Sequence, residues 1–292
     1  MKIGIMLPQG PEDGDGDTWS AIAARARQAE DGGADSLWLV DHFFYREDGA
    51  AIGAETGLHE PWTLLSALAA ITTRVELGTL VLSTSFRPAG MLAKMAVTAD
   101  GVAGGRLILG LGCGWHEPEY TAFGYPFDHR VGRFEEALRI IGPLVRGERV
   151  TFEGDYQQVR EAAIVPPPIR PRLPILIAAK GERMLRLTAE LADLWQTAWF
   201  GLPDDRYRGR HADLLAACAA VGRDPGTLGV TVGVEVEDQA SGPASLPMEA
   251  GAIAAALGAW EAEGADHLQL RVGPSTAATF DIVLEGIRRY RG

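Results

Sequence analysis

Cysteine is nearly absent from this 292-residue chain; only Cys113 and Cys218 occur. They lie far apart, with neither CxxC nor metal-ligand spacing, so a disulfide framework and a zinc ribbon are not indicated. This usage fits a reducing compartment and leads us to expect a cytoplasmic protein. Positive charge is also scarce. Lysine and arginine total 27 against 39 aspartates and glutamates, a net charge of -12, which argues against nucleic acid as a partner. An anionic cofactor stays open, because backbone donors bind phosphate even in an acidic protein. No apolar run approaches the roughly 18 residues of a membrane span, so no membrane partner is expected. The apolar start at Lys2 to Leu7 is too short for a signal peptide. HExxH is missing, and so are low-complexity tracts and internal repeats.

What is present is alternation. Short apolar runs at Lys2–Leu7, Ser36–Val40, Val75–Leu82, Arg106–Leu111, Pro174–Ala178, Leu194–Thr197, Gly229–Val236 and His267–Val272 read as strands buried on both faces. Helical segments follow them, beginning near Thr18, Pro61, Pro88, Gly132, Glu182, Asp204, Met248 and Thr276. Eight strand–helix units predict an α/β fold of the (β/α)8 TIM-barrel class over residues 1–292, with a doubly wound open sheet as the alternative. Residues 148–173 read as an insertion, with a hairpin from Thr151 to Val159 around Gly154-Asp155 and an extended connector at Pro166-Pro167-Pro168. Segments 43–60 and 237–247 read as long loops able to close over a substrate.

In a parallel barrel the chemistry sits at the carboxyl ends of the strands. The second strand stops at Asp41-His42, a candidate acid/base pair, with Phe43 and Phe44 following. The fourth runs into Gly110-Leu111-Gly112-Cys113-Gly114-Trp115-His116-Glu117, whose alternate glycines lack GxGxxG spacing. Two readings stay open there: relief of crowding inside the barrel, or bare backbone for a flat ring. After the fifth strand, Ala179-Lys180-Gly181-Glu182 is either an ordinary strand-to-helix turn or a phosphate site on free helix-start amides. His116 with Glu117 and Glu119 suggests a metal only if two further ligands are supposed, so no metal is expected. His59, His129, His211 and His267 read as surface or structural. Trp38, Trp195, Trp199 and Trp260 read as core, and Trp115 is as easily a cofactor contact as a core residue.

Together these residues resemble the bacterial luciferase-like flavin and deazaflavin oxidoreductases, in particular the coenzyme F420-dependent branch. The similarity runs through Lys2–Ile5, Ser36–His42, Leu77–Leu82, Leu92–Ala96, Gly104–Gly110, Gly112–Glu119, Phe123–Phe127, Arg133–Leu138 and Pro174–Ile177, about the first two thirds of the chain. The resemblance implies a TIM barrel with the ring at the strands' carboxyl ends and Asp41 and His42 near its reactive part. It also implies a cis peptide at Leu80-Val81 behind the ring, Ser83 near the cofactor, Gly112, Cys113 and Gly114 facing it, and Ala179, Lys180, Gly181 and Glu182 at its phosphate. Relatives often carry Gly or Ser where Lys180 stands. Sugar-phosphate dehydrogenases of the family place a glutamate where this chain has Trp115, which points instead to an apolar substrate wall with Phe43 and Phe44. Arg271, ending the eighth strand, reads as a substrate or tail anchor or as a solvent ion pair.

The expected function is hydride transfer between coenzyme F420 and a small organic substrate, with His42 moving the proton and Asp41 orienting it or touching the ring. The rivals are an FMN-dependent monooxygenase, a metal-dependent barrel hydrolase and a non-enzymatic cofactor-binding protein. Relatives are commonly dimers, so a homodimer is expected, with outward apolar positions between Trp62 and Ala70 available to it.

Overall fold

A computed structural model describes residues 1–11, 14, 18–47, 49–240 and 244–292. Eight parallel strands form a closed barrel: β1 (Lys2–Met6), β2 (Ser36–Leu39), β3 (Glu76–Thr79), β4 (Leu107–Gly112), β5 (Ile175–Ala178), β6 (Leu194–Phe200), β7 (Gly229–Glu237) and β8 (His267–Gly273). Closure comes from β1 pairing with both β2 and β8, and from β4 pairing with β5. An open sheet is thereby excluded.

Helices return the chain between strands, and local chemistry sets their ends. The helix α1 (Trp19–Asp31) begins where the Thr18 hydroxyl accepts from the Ala21 amide at 3.3 Å, and it stops at Gly32-Gly33, with Gly33 at φ +98°. Pro61 opens α2 (Pro61–Ile71), capped by the Glu60 carboxylate. Next come α3 (Ala89–Val102), α4 (Glu117–Phe123), α5 (Arg130–Val145), α6 (Glu182–Leu191), α7 (Asp205–Val221), α8 (Ala250–Ala262) and α9 (Ala277–Arg291). After β4 comes α4, a short helix whose sequence is too polar to show apolar periodicity. The expected hairpin forms from Val150–Glu153 and Gln158–Ala162. Segment 43–60 carries a small antiparallel pair, Phe44–Tyr45 with Thr56–Gly57. Of the two segments read as closing loops, Asp48 and residues 241–243 lie outside the described residues.

The main core lies between strands and helices, where outward strand residues such as Ile3, Leu37, Leu77 and Leu268 meet the helical apolar faces. Inside the barrel a smaller cluster of Met6, Trp38, Ile108 and Leu176 fills the lower half. The indole of Trp38 lies across two neighbouring strands: a Cβ on Gly4 or Gly78 would fall within 2.4 Å of it. Its Nε1 donates to Ser36 Oγ at 2.7 Å, and the Ser36 hydroxyl shares a 2.7 Å hydrogen bond with His267 Nε2. Burial lowers the His267 pKa to about 3, which keeps the ring neutral at ordinary pH. The barrel is therefore plugged below and open above.

Two irregularities shape the open end. The Leu80-Val81 peptide is cis, and past it Leu82–Ser83 pairs again with β4. The Ala198-Trp199 peptide is also cis, and the register of β6 on β7 slips between Thr197 and Phe200.

Candidate active site

The open end holds two cavities that meet. The first, about 420 Å3, is walled by Asp41 and His42 after β2, by Leu80, Val81 and Ser83 after β3, and by Gly112 to Trp115 at the end of β4. Ala178 to Gly181 after β5 and Gln196, Ala198 and Trp199 on β6 complete it. The second, about 360 Å3, lies toward β1 and β8, between Met6 to Gln9, Val40, Tyr45, Leu58, Arg271, Val272 and Ser275. His42, Leu80, Trp115 and Trp199 line both and form the seam between them.

His42 is held at that seam by Glu119, a residue of α4. The Glu119 side chain is 1% exposed, and its Oε2 lies 2.8 Å from His42 Nδ1. Its other oxygen accepts the Phe43 amide and, at 3.3 Å, the Phe44 amide. A carboxylate only accepts, so Nδ1 carries the proton, and Nε2 has no partner among the described residues. The expectation that Asp41 orients His42 is thus corrected. Asp41, 3% exposed, is taken up elsewhere: Arg87 donates to both its oxygens at 2.9 and 3.0 Å, and the Ser83 amide donates at 2.8 Å. Burial raises the Asp41 pKa, opposed by the charge and hydrogen bonds of Arg87. Arg87 also reaches Glu60 at 2.6 Å, so one guanidinium joins the end of β2, the cap of α2 and the strand after β3. Asp41 does wall the first cavity, as an anchor for the backbone around Ser83.

Packing decides between the two readings of the β4 glycines. A Cβ on Gly110 would sit 1.8 Å from the Thr79 carbonyl, and one on Gly112 would sit 2.6 Å from Val81. At Gly114, with φ +70°, it would sit 1.8 Å from the Tyr120 hydroxyl. These glycines make room for the irregular strand after β3 and for Tyr120. Tyr120 lies 2.6 Å from Ser83 Oγ and donates to the Cys113 carbonyl at 3.1 Å. Burial pushes both the Tyr120 phenol and the Cys113 thiol up in pKa.

On the far side of the cavity, Gly181 precedes α6 with open space where a Cβ would stand. The Lys180 ammonium lines the cavity and has no hydrogen-bond or ion-pair partner among the described residues. Desolvation, then the charges of Arg210 and Arg206, lower its pKa. Ala179 lines the cavity, and its carbonyl accepts from Trp195 Nε1 at 3.0 Å. Glu182, expected beside a phosphate, is outside the cavity wall as the first residue of α6.

Phe43 and Phe44 also fall outside both cavities. Phe43 stacks on Phe86 and meets Phe123 and Tyr125, and Phe44 packs on Phe123 and His116. They anchor the loop that carries His42. His116 is buried and accepts the Arg46 amide at 3.3 Å. Trp115, 63% exposed, stands at the mouth, edge-on to His42 with centroids 5.4 Å apart. Of the tryptophans read as core, Trp38, Trp195 and Trp260 are fully buried, whereas Trp199 walls both cavities. The register slip in β6 brings it there, a backbone irregularity that apolar patterning does not encode. Gln196 is among the cavity residues that sequence reasoning passed over, and Glu119 was weighed there only as a metal ligand. Its burial beside Tyr120 in α4 is a product of the fold that the local sequence does not display. Among the described residues no three His, Cys, Asp or Glu are grouped to hold a metal ion.

Comparison with known proteins now decides the family, because the model of the luciferase-like monooxygenases matches residues 1–237. The chain belongs to that family. It is 32% identical to a phthiodiolone/phenolphthiodiolone dimycocerosates ketoreductase of Mycobacterium bovis, over 80% of this chain and 67% of the relative. It is 40% identical to an F420-dependent glucose-6-phosphate dehydrogenase of Kineococcus radiotolerans, over 59% of this chain and 50% of that protein. In structure it is similar to an F420-dependent secondary alcohol dehydrogenase solved with an F420–acetone adduct. The TM-score is 0.82 at 17% identity, covering 100% of this chain and 99% of the other. The monooxygenase RslO1 from Streptomyces bottropensis superposes with a TM-score of 0.75 at 21% identity, over 99% and 97% of the two chains. Luciferase-like barrels of both kinds therefore share this fold.

Proposed function

We propose that this luciferase-like protein is an oxidoreductase that transfers a hydride between coenzyme F420 and a small organic substrate. The observation that carries the reading is His42, fixed by buried Glu119 at the seam of two cavities, one for a ring and one for a substrate. The similarity to F420-dependent relatives supports the choice of coenzyme.

The first cavity fits such a group. Leu80, Val81, Ala178 and Met184 offer apolar wall to a flat heterocycle. Lys180 and the open Gly181, at the start of α6, offer a cation and free amides to a phosphate. Gly112, Cys113 and Gly114 border the ring space, and Ser83, held by Asp41 through its amide, presents a hydroxyl to it. When bound, coenzyme F420 supplies or takes up a hydride at its deazaflavin ring.

The chain's own residues handle the proton. For reduction of a carbonyl, His42 gives its Nε2 proton to the oxygen; for oxidation of an alcohol, Nε2 takes that proton. Glu119 fixes the tautomer in which Nε2 is the outward nitrogen, and it offsets the charge of the imidazolium. Trp115 and Trp199 flank the seam and exclude water from it. A homodimer and a cytoplasmic location belong to the same reading, and sedimentation at micromolar concentration tests the dimer. Among the described residues no helix is long and apolar enough to cross a membrane.

Fluorescence titration of the purified protein with F420 and with FMN tests the proposal. F420 is expected to bind at least about tenfold more tightly, a difference of about 1.4 kcal/mol. Preference for FMN would replace this reading with that of an FMN-dependent monooxygenase.

A further inference from the structure

Arg271 stands out among the cations near the mouth because its guanidinium fork is not engaged. Arg87 is taken up by Asp41 and Glu60, Arg46 by Glu55, and Arg130 by the Gly114 carbonyl at 2.6 Å. Arg210 is taken up by Thr197 and the Ala198 carbonyl. Arg271 makes one 3.5 Å contact, from Nε to Glu235 on the neighbouring strand, and sits 5.9 Å over the Trp199 ring. Its Nη1 and Nη2 have no acceptor among the described residues. Its side chain is 54% exposed and lines the second cavity, where none of the described wall residues is a carboxylate. Leu7, Val40, Tyr45, Leu58, Trp115 and Trp199 give that wall an apolar and aromatic side, beside the polar groups of Gln9, His42 and Ser275. At about 360 Å3 the space is near the lower end of the roughly 300–1,000 Å3 range of small-molecule sites.

We propose that the second cavity takes small, mainly apolar or aromatic substrates that carry one carboxylate, with the carboxylate held by Arg271 and the remainder lying between Trp115 and Trp199 toward His42. A planar guanidinium matches a carboxylate through two parallel N–H···O bonds, which an amide or ester oxygen does not reproduce. The aromatic walls select a flat or bulky body on the same molecule. This assignment rests on the reading of the first cavity as the coenzyme site, since only then is the second left for the substrate.

The test uses 3-phenylpropanoate and its neutral isostere 3-phenylpropanamide as probes. Both are titrated calorimetrically into wild-type protein and the Arg271→Ala and Arg271→Gln variants, each with and without saturating F420. The expected result is at least tenfold tighter binding of the carboxylate than of the amide by wild type. Both variants lose that preference while keeping their thermal midpoint and their F420 affinity within twofold. Equal binding of the two probes by folded wild type overturns the proposal, as does a preference that survives in both variants. A drop in F420 affinity of both variants also overturns it, by making Arg271 a coenzyme residue. If F420 does not bind but the carboxylate preference disappears with Arg271, the anion site stands and the coenzyme reading fails.

Discussion

Replacing Glu119 by glutamine changes one atom and reverses the proton arrangement at His42. In the wild type one oxygen of Glu119 accepts the Phe43 and Phe44 amides and the other accepts from His42 Nδ1. Glutamine has only one oxygen. The two backbone amides claim it, because turning the NH2 toward them would leave donors facing donors in a buried site, at about 1–3 kcal/mol per unsatisfied group. The NH2 group must then face Nδ1, which becomes the acceptor, and the proton moves to Nε2. A neutral His42 with Nε2 protonated cannot take a proton from an alcohol. The charged imidazolium, needed to give one up cleanly, loses its anionic partner. A positioned acid/base group contributes about 10²- to 10⁴-fold to rate, and enforcing the wrong tautomer forfeits most of it. Turnover of Glu119→Gln is therefore expected to fall by roughly 10²- to 10⁴-fold, followed as the change in F420 absorbance, with coenzyme affinity within about twofold. Imidazole 15N spectra of histidine-labelled protein give a readout independent of any substrate: Nδ1 bears the proton in neutral wild-type His42 and Nε2 bears it in the variant. Turnover within about threefold of wild type, together with an unchanged His42 spectrum, would refute the reasoning.

Other expectations follow from contacts described above. Arg87→Met leaves the buried Asp41 carboxylate with only the Ser83 amide, and breaking a buried pair from one side costs about 3–5 kcal/mol, measurable as a shift in the urea midpoint. Lys180→Ala removes a cation worth about 1.5–3 kcal/mol in a charge-assisted contact, so F420 affinity falls about tenfold or more; the deazaflavin nucleoside lacking the phosphate is bound unchanged. His267 has a folded pKa of about 3 against an ordinary value of 6.5, so the unfolded chain binds the extra proton between those values. Its contribution to stability is present above about pH 6.5 and is lost as pH falls, at up to about 1.4 kcal/mol per pH unit. His267→Gln, able to accept from Ser36 without titrating, is expected to flatten the stability profile between about pH 6 and 4, as followed by denaturant melts.

Much of the barrel is legible in the sequence because each strand is a short apolar run closed by a capping signal. Pro61 opens α2, Thr18 caps α1, and Gly32-Gly33 ends it. The positions of Asp41 and His42 at the rim follow from the same logic. Their partners do not. Glu119 meets His42 across 77 residues, and Arg87 meets Asp41 across 46, so local pattern carries neither pairing. Two neighbouring polar residues, Asp41 and His42, suggested a pair; alternation along an extended chain sends them to different partners. Trp199 was hidden for another reason: it stands in a largely buried apolar strand, and the slipped register turns it to the mouth. The β4 glycines are conspicuous in sequence, but their cause lies in Thr79, Val81 and Tyr120, which no spacing rule connects to them.

The separation of the two cavities has an engineering consequence. Leu58, Val272 and Ser275 line only the second, on segments that contribute nothing to the first. Variation there is expected to retune which molecules are accepted without disturbing the cavity proposed for the coenzyme. Gly110, Gly112 and Gly114 offer no such freedom, because any side chain collides with atoms the barrel already needs. Libraries aimed at new selectivity therefore belong on the β1 and β8 side of the mouth.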